Sequence, residues 1–264
     1  MVIATANGDV EATFNAEGHH IVAFILRNDL NQNHGQTMQR VQEILDRGGR
    51  DLLSAATFPD DIRSAQPATK PFHFIDIPFE QGGPPNPPLP GAPNVITKIA
   101  EFTHKLQAGT GTDKENVDAL SWLIHLFGDI HQPLHCIERI SQLHPGGDGG
   151  GNSFRLSGNA ENLHKLWDSS ANFHNGDQEN VALEIMETNS RAELAADLEN
   201  TNVESWARAS FALAKKFAYG PLHENPAHPP RPSAAYLKQA EKTGRRQAAL
   251  AAYRLADRLR AIFA

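Results

Sequence analysis

The sequence predicts an all-α protein built as a single domain. Apolar residues recur every three or four positions in several segments, which is the spacing that one buried face of a helix requires. The alternation of polar and apolar residues that is typical of strands is nearly absent. With 264 residues, 40% of them hydrophobic, the chain is long enough to bury one substantial core, and no internal repeat divides it.

Two helices are predicted near the start, followed by a long loop. The segment that begins at Gly18 places Ile21 and Ile25 on one helical face, and a second helix is predicted across residues 36–45. Residues 60–93 are dense in proline and glycine, which do not continue a helix. We expect an extended excursion over the surface there.

The middle of the chain predicts two further helices, at residues 94–108 and 116–134. The second is unusually hydrophobic for a surface helix, so we expect it to be central and buried. Pro133 should end or kink it, because proline lacks the amide hydrogen that a helix interior needs.

Glycine and proline divide the rest of the chain. Residues 144–152 hold too many glycines for a helix or strand and predict tight turns. Residues 160–171 predict a short helix. The last hundred residues predict three or four helices, interrupted by a proline-rich segment around residue 227.

Composition limits the classes of function. A formal net charge of -7 and a pI near 6.0 argue against a broad basic face for nucleic acid, so bound cations would have to attract any phosphate. Cys136 is the sole cysteine, which excludes an internal disulfide. No run of about 18 apolar residues is present, and the first residues lack the pattern of a signal peptide. We expect a soluble chain without a membrane anchor.

Histidines and aspartates at helical spacing predict a metal site. His125 and Asp129 are four residues apart and share one helix face, and His164 and Asp168 repeat that spacing. His135 follows just after Pro133, where the chain can turn a further ligand towards the same place.

An alternative reading of these pairs is a set of buried ion pairs between carboxylates and imidazoles. Burying Asp129 among Leu126, Phe127 and Ile130 is costly without a strong cationic partner, and a divalent metal is a stronger partner than one imidazole. Imidazole nitrogens and carboxylate oxygens suit Zn²⁺, and the lack of thiolates argues against a structural zinc finger. The pattern therefore favours a catalytic zinc site.

Six motifs, taken in order, resemble those of the S1/P1 nuclease family. They are GHHIVAFIL, FPDDIR, FHFID, HLFGDIHQPLH, GGDGGGN and NLHKLWD. The resemblance spans about residues 14–170 and continues more loosely into the helical tail. It implies an N-terminal extension at residues 1–13 and, at residues 14–264, a catalytic domain with the multi-helix phospholipase C/P1 nuclease-like fold.

The resemblance implies three zinc ions and their ligands. Asp129 bridges the first and second ions, and the N-terminal residue of the family's motif, matched here by Phe14, completes the second. The implied ligands are Asp60, His73, His125 and Asp129 for the first ion, Asp129, His19 and Phe14 for the second, and His135, His164 and Asp168 for the third. By the same match, His20 and His131 are not ligands, although a supporting role near the metals is expected for His131.

One departure from the family pattern weakens the second site. Thirteen residues precede Phe14, so its nitrogen is an amide in the intact chain and cannot ligate as the family's free α-amine does. Cleavage after Thr13 would free that amine and allow Phe14 to bind the second ion. Phe58 and Pro59 replace the family's Trp-Ala and keep the segment apolar. An alternative alignment would make Asp61 the ligand in place of Asp60.

The resemblance also implies catalytic residues. Asp60 and Asp129 hold metal, Arg63 is expected to clamp phosphate, and Asp76 is expected to orient the attacking water. Three Zn²⁺ ions against three carboxylates leave a local charge of about +3, so an acidic protein would still attract phosphate. On physical grounds alone, a solvated arginine at position 63 and a loop-capping aspartate at position 76 are equally compatible with the sequence.

Aromatic side chains could stack the bases of a single strand. Phe74, Phe79 and Phe154 are the candidates, and a role in the apolar core is the competing expectation for each.

The implied activity is zinc-dependent cleavage of single-stranded DNA and RNA to 5′-nucleotides, with 3′-nucleotidase activity. The alternatives are a zinc phospholipase C that acts on phospholipid head groups and an inactive zinc-binding homologue. The resemblance further implies a secreted or periplasmic monomer without a stable protein partner.

Overall fold

A computed structural model describes residues 16–158 and 160–264 of the chain. Within them the regular secondary structure is almost entirely helical, which confirms the predicted all-α class. Its α-helices are α1 (Ala16–Asn33), α2 (Gly35–Arg47), α3 (Leu52–Arg63), α4 (Val95–Ala108), α5 (Asp113–His131), α6 (Leu163–Asp168), α7 (Gln178–Thr188), α8 (Ala195–Leu198), α9 (Val203–Leu213) and α10 (Ala234–Phe263).

Helix α5 is the centre of the fold, as its hydrophobicity predicts. It packs against α3, α4 and α10, and every residue from Ala119 to His131 is buried. Thr112 caps its first turn, and the helix stops before Pro133. Residues Pro133–Cys136 then form a 3₁₀ helix, which turns the chain sharply at the end of α5.

The segment predicted as a surface loop, residues 60–93, differs from that expectation in two ways. Its first residues lie in α3, and Pro67–His73 form a 3₁₀ helix. Ile75 and Ile77 are buried, so this stretch crosses the interior. Its backbone polar groups are satisfied there, since the Ile75 amide donates to the His135 carbonyl at 2.8 Å. From Gly82 the chain is irregular up to α4, as predicted.

A two-residue parallel ladder extends this crossing. Strand β1 (Pro78–Phe79) pairs with β2 (Glu138–Arg139), with Pro78 opposite Glu138 and Phe79 opposite Arg139. The ladder fixes the segment after His73 beside the segment after His135. Two stretches far apart in sequence therefore reach the end of α5 together.

The C-terminal helices close the molecule around α5. Helix α10 packs along α1 and α5, and α9 continues into a π-helical segment, Ala214–Tyr219. The proline-rich segment interrupts the helices where predicted, between Tyr219 and Ala234. Helix α6 is shorter than the predicted residues 160–171, because the chain enters it through the Asn162 cap and leaves it at Ser169. In the described part of the chain, every helix is too short or too polar to cross a membrane.

Candidate metal centre

Asp129 lies at the centre of a buried group of imidazoles. Its Oδ2 atom is 3.0 Å from His73 Nδ1 and 3.0 Å from His125 Nε2. Its Oδ1 atom is 3.2 Å from His135 Nδ1 and 3.6 Å from His19 Nε2. All five side chains are buried. The two oxygens of one carboxylate therefore face two different sets of histidines.

Asp60 completes the first set from helix α3. Its Oδ1 atom is 3.8 Å from His73 Nδ1 and 3.7 Å from His125 Nε2. Asp61, the alternative ligand, is exposed. The geometry thus favours Asp60 as the ligand. Ligand atoms within 4.8 Å of one another define two overlapping groups here: His19, Asp60 and His125, and His73, His125 and Asp129.

A further group gathers His135, His164 and Asp168. His164 and Asp168 are one turn apart in α6, and His135 comes from the 3₁₀ helix after α5. The Nε2 atoms of both histidines are 3.6 Å from Asp168 Oδ1. All eight predicted ligands within the described residues are thereby brought together. Phe14, the ninth, lies outside the described residues.

The hydrogen bonds of these groups fit bound metal ions. His125 Nδ1 donates to the Ala56 carbonyl at 2.7 Å, and His164 Nδ1 donates to the Gly150 carbonyl at 2.8 Å. Each ring therefore keeps its Nε2 lone pair for the cluster. Within the described residues, the buried atoms His135 Nε2, His164 Nε2 and Asp168 Oδ2 make no hydrogen bond. A cation among these donor atoms would satisfy them, and nitrogen with oxygen donors suits Zn²⁺.

The pKa values of the clustered histidines and of the central aspartate are shifted in different directions. Burial would lower the pKa of His125, but the carboxylates of Asp129 and Asp60 outweigh it and raise that pKa to about 9. Burial would likewise raise the pKa of Asp129, but the imidazoles of His125 and His135 hold it well below its ordinary value. Burial lowers the pKa of His19 well below its ordinary value. The carboxylate at the centre thus requires positive charge around it.

The two predicted catalytic residues beyond the ligands are Arg63 and Asp76, and they differ in exposure. Arg63 ends α3 one turn after Asp60 and is half-buried. Asp76 is exposed and lies between the buried residues Ile75 and Ile77. Their roles beside the metals stay predictions.

The three candidate aromatic residues differ in burial. Phe154 is fully buried, which favours the core role. Phe79 is half-buried against the rings of Phe211 and Tyr219. Phe74, adjacent to His73, is half-buried and the nearest of the three in sequence to a predicted ligand.

Gln132 is a contact of the cluster that the sequence analysis missed. Its Nε2 atom donates to Asp168 Oδ1 at 2.7 Å, and its Oε1 atom accepts from the Leu134 amide. The residue thereby ties the turn after α5 to α6. Its place inside the HQPLH motif, between two predicted functional residues, was the only local signal for this role.

His131 supports the cluster without belonging to it. Its Nδ1 atom donates to the Phe127 carbonyl at 2.7 Å, and its Nε2 atom accepts from the Arg254 guanidinium at 2.7 Å. Burial and the Arg254 charge lower the pKa of His131 to about 3, so the ring is neutral. His20 was expected to be an exposed or capping residue, but it is half-buried and hydrogen-bonded to Gln178 at 2.9 Å.

Comparisons of the sequence with known proteins point to one family. The S1/P1 Nuclease family model matches residues 14–264. Nuclease S1 of Aspergillus oryzae is 32% identical over 163 residues, which cover 58% of this chain and 52% of that protein. Endonuclease 4 of Arabidopsis thaliana is 29% identical over 169 residues, covering 58% and 53%. Nuclease P1 of Penicillium citrinum is 27% identical over 164 residues, covering 58% and 56%.

The chain thus spans about half the length of the curated relatives it matches. The family model nevertheless extends over the whole of the described structure, including every grouped histidine and aspartate. The chain belongs to the S1/P1 nuclease family.

Proposed function

We propose that this chain is a zinc-dependent phosphodiesterase that cleaves single-stranded DNA and RNA to 5′-nucleotides and that also removes 3′-phosphates. The observation that carries the proposal is the arrangement around Asp129, where one buried carboxylate faces two sets of imidazoles, with the third group directly beside them. Family membership and the names of the relatives support the choice of nucleic acid as substrate.

The proposal assigns three zinc ions to the chain. The described ligands fit such ions because they offer imidazole nitrogens and carboxylate oxygens, nearly all of them buried, and because backbone carbonyls orient the rings of His125 and His164. Phe14 stays a predicted ligand of the second ion. When bound, Zn²⁺ supplies Lewis acidity, which activates water and stabilises negative charge on phosphate oxygens.

The remaining roles belong to the chain's own side chains. Asp129 fixes the ligands of the first ion relative to His19 of the second, because its Oδ2 atom faces His73 and its Oδ1 atom faces His19. Arg63 binds a phosphate oxygen, for which its planar fork is suited. Asp76 orients the attacking water, and Phe74 stacks on a base that a single strand can present and a duplex cannot.

Nuclease activity is tested by comparing substrates on one zinc-loaded sample. We expect a single-stranded oligonucleotide and RNA to be cleaved to products with 5′-phosphates, matched duplex DNA to be cleaved far more slowly, and phosphatidylcholine to remain intact. Hydrolysis of phosphatidylcholine without cleavage of nucleic acid would instead indicate a phospholipase. About two zinc ions per chain without any turnover would indicate the inactive zinc-binding homologue.

The Asp129→Asn variant tests whether the activity comes from this site. Loss of a residue that supports a metal ligand typically lowers metal affinity or activity by about 10- to 100-fold. We therefore expect the loss of a bridging carboxylate to lower activity by more than about 100-fold. The loss has a physical reason, since the amide removes the charge that two cations share. Zinc content, measured on the same sample, should fall as well. Unchanged turnover would contradict the assignment.

A secreted or periplasmic location and a monomeric state are part of the same proposal and rest on family membership alone.

A further inference from the structure

The glycine-rich loop beside the His135 group has a backbone that tolerates no side chains at its tightest points. Gly147, Gly149, Gly150 and Gly151 all have positive φ angles. A Cβ atom on Gly150 would lie 2.4 Å from the carbonyl oxygen of Leu134. The loop is therefore pressed against the segment that leads into His135.

This contact places one backbone carbonyl where it controls a predicted ligand. The Gly150 carbonyl accepts a hydrogen bond from His164 Nδ1 at 2.8 Å. The bond fixes the hydrogen on Nδ1, so that the Nε2 lone pair faces Asp168 Oδ1 at 3.6 Å. If the loop shifted, the Gly150 carbonyl would no longer select this tautomer of His164.

Glu138 holds the loop in that place. Its Oε1 atom accepts from the Gly149 amide at 3.0 Å, and its Oε2 atom accepts from the Gly150 amide at 3.2 Å. A Cβ atom on Gly147 would lie 1.5 Å from Oε1, so the loop encloses the carboxylate. Glu138 is itself anchored in β2, where its amide donates to the Ile77 carbonyl at 2.9 Å.

A second carboxylate holds the other end of the loop. Asp148 Oδ1 accepts from the Gly151 amide at 3.0 Å and from the Tyr219 hydroxyl at 2.9 Å. The Gly151 amide and the Gly150 carbonyl belong to one planar peptide group, so Asp148 orients the carbonyl that meets His164. Glu138 holds the two preceding peptide groups through the Gly149 and Gly150 amides, and so fixes the position of Gly150 itself.

We propose that Glu138 is a positioning residue for the third metal site, acting through the Gly150 carbonyl to set the tautomer and orientation of His164. Its carboxylate makes no metal contact in this role, because both oxygens are occupied by backbone amides. The inference rests on the proposed zinc binding. It makes zinc binding at the third site depend on a residue that is not one of its ligands.

Glu138→Gln is the discriminating variant. Glutamine has the same shape but only one acceptor oxygen, so its NH₂ group faces one of the two amide hydrogens and one hydrogen bond is lost. We expect the zinc ion of the His135 group to bind about 10- to 100-fold more weakly, measured by competition with a chromophoric chelator, while the other two ions keep their wild-type affinities.

A second readout uses the metal-free protein. Nitrogen-15 NMR of the imidazoles at pH 8 reports the tautomer of His164, and we expect Glu138→Gln to shift it from a pure Nδ1–H form towards a mixture. Glu161→Gln is the matched control. Glu161 lies just before α6 and pairs with Lys165 at the surface, so neither zinc affinity nor tautomer should change.

The outcomes separate this inference from the proposed function. Equal weakening of all three ions in Glu138→Gln, or an unchanged third ion with an unchanged His164 tautomer, would overturn the role of Glu138. A wild-type protein that binds no zinc at the His135 group would contradict the proposed function. In that case the NMR measurement still decides whether Glu138 sets the tautomer.

Discussion

Single buried polar residues determine how this cluster is built. Asp129 is fully buried and is surrounded by ring nitrogens at 3.0 to 3.6 Å. An isolated carboxylate in such a place would cost several kcal/mol, so the fold tolerates it only because positive charge is gathered around it. A buried cation likewise needs partners that replace water, and Arg254 is the second case.

Arg254 is buried in α10, and no carboxylate among the described residues accepts a hydrogen bond from it. Its guanidinium donates to His131 Nε2 at 2.7 Å and to the Asp197 carbonyl at 2.9 Å, and it lies over the Trp206 ring with its carbon 4.8 Å from the centroid. Burial lowers the pKa of Arg254 to about 10. Arg254 thereby holds the last residue of α5, His131, against α10.

We expect Arg254→Met to lower the free energy of unfolding by about 2 kcal/mol, since it leaves the His131 acceptor buried without a donor. Chemical denaturation followed by circular dichroism measures the change. Arg260→Met, at an exposed position of the same helix, is the control and should lie within about 0.5 kcal/mol of the wild type. Equal stability of the two variants would show that the His131 contact contributes nothing.

At the scale of elements, irregular helix turns bring distant groups to the cluster. The π-helical segment after α9 ends at Tyr219, whose hydroxyl donates to Asp148 at 2.9 Å and so supports the glycine loop. Such π segments are uncommon and occur often near functional sites. The 3₁₀ helix after α5 has the corresponding effect, because it brings His135 beside both Asp129 of α5 and Asp168 of α6.

Helix α5 starts with a reciprocal cap that should make its stability depend on pH. The Thr112 amide donates to Glu115 Oε2 at 2.9 Å, and the Glu115 amide donates to Thr112 Oγ1 at 3.3 Å. The hydrogen bonds from Thr112 lower the pKa of Glu115 from 4.5 to about 2, with help from Lys105. A folded-state pKa below the unfolded value stabilises the protein above pH 4.5, and that stabilisation is lost as the pH falls to about 2.

Glu115→Gln should therefore be less stable than the wild type at pH 6, and the difference should shrink as the pH falls below 4.5. Urea unfolding of both proteins across this range measures it. Metal loss in acid affects both proteins alike, so the difference isolates the cap. Glu187→Gln, at an exposed position of α7, should show no such trend. A difference that stays constant with pH would contradict the role of the cap.

At the scale of the whole molecule, the helices and the placing of each His/Asp pair on one helix face were predictable because their signals are local. The spacing of His125 and Asp129 already places both on one face of a hydrophobic helix. The supporting contacts were not predictable, since Gln132 meets Asp168 and Arg254 meets His131 across long stretches of sequence. The burial of Ile75 and Ile77 was missed because proline and glycine nearby indicate a loop without saying where it runs.

The assembly of ligands from separate segments predicts that metal binding and folding are coupled. The grouped side chains come from α1, α3, α5, α6 and the two 3₁₀ helices, so an unfolded chain offers no comparable site. Ligand binding to the native state alone adds about 4 kcal/mol when the free ion is at a thousand times its Kd. Removing zinc with a chelator should then lower the melting temperature by about 10 °C, given the typical shift per kcal/mol for a chain of this size. Differential scanning calorimetry with and without chelator measures the effect. A variant with His164→Ala and Asp168→Ala should respond less, because one site is already gone, and a wild-type melting temperature that ignores the chelator would mean that these side chains converge for a reason other than bound metal.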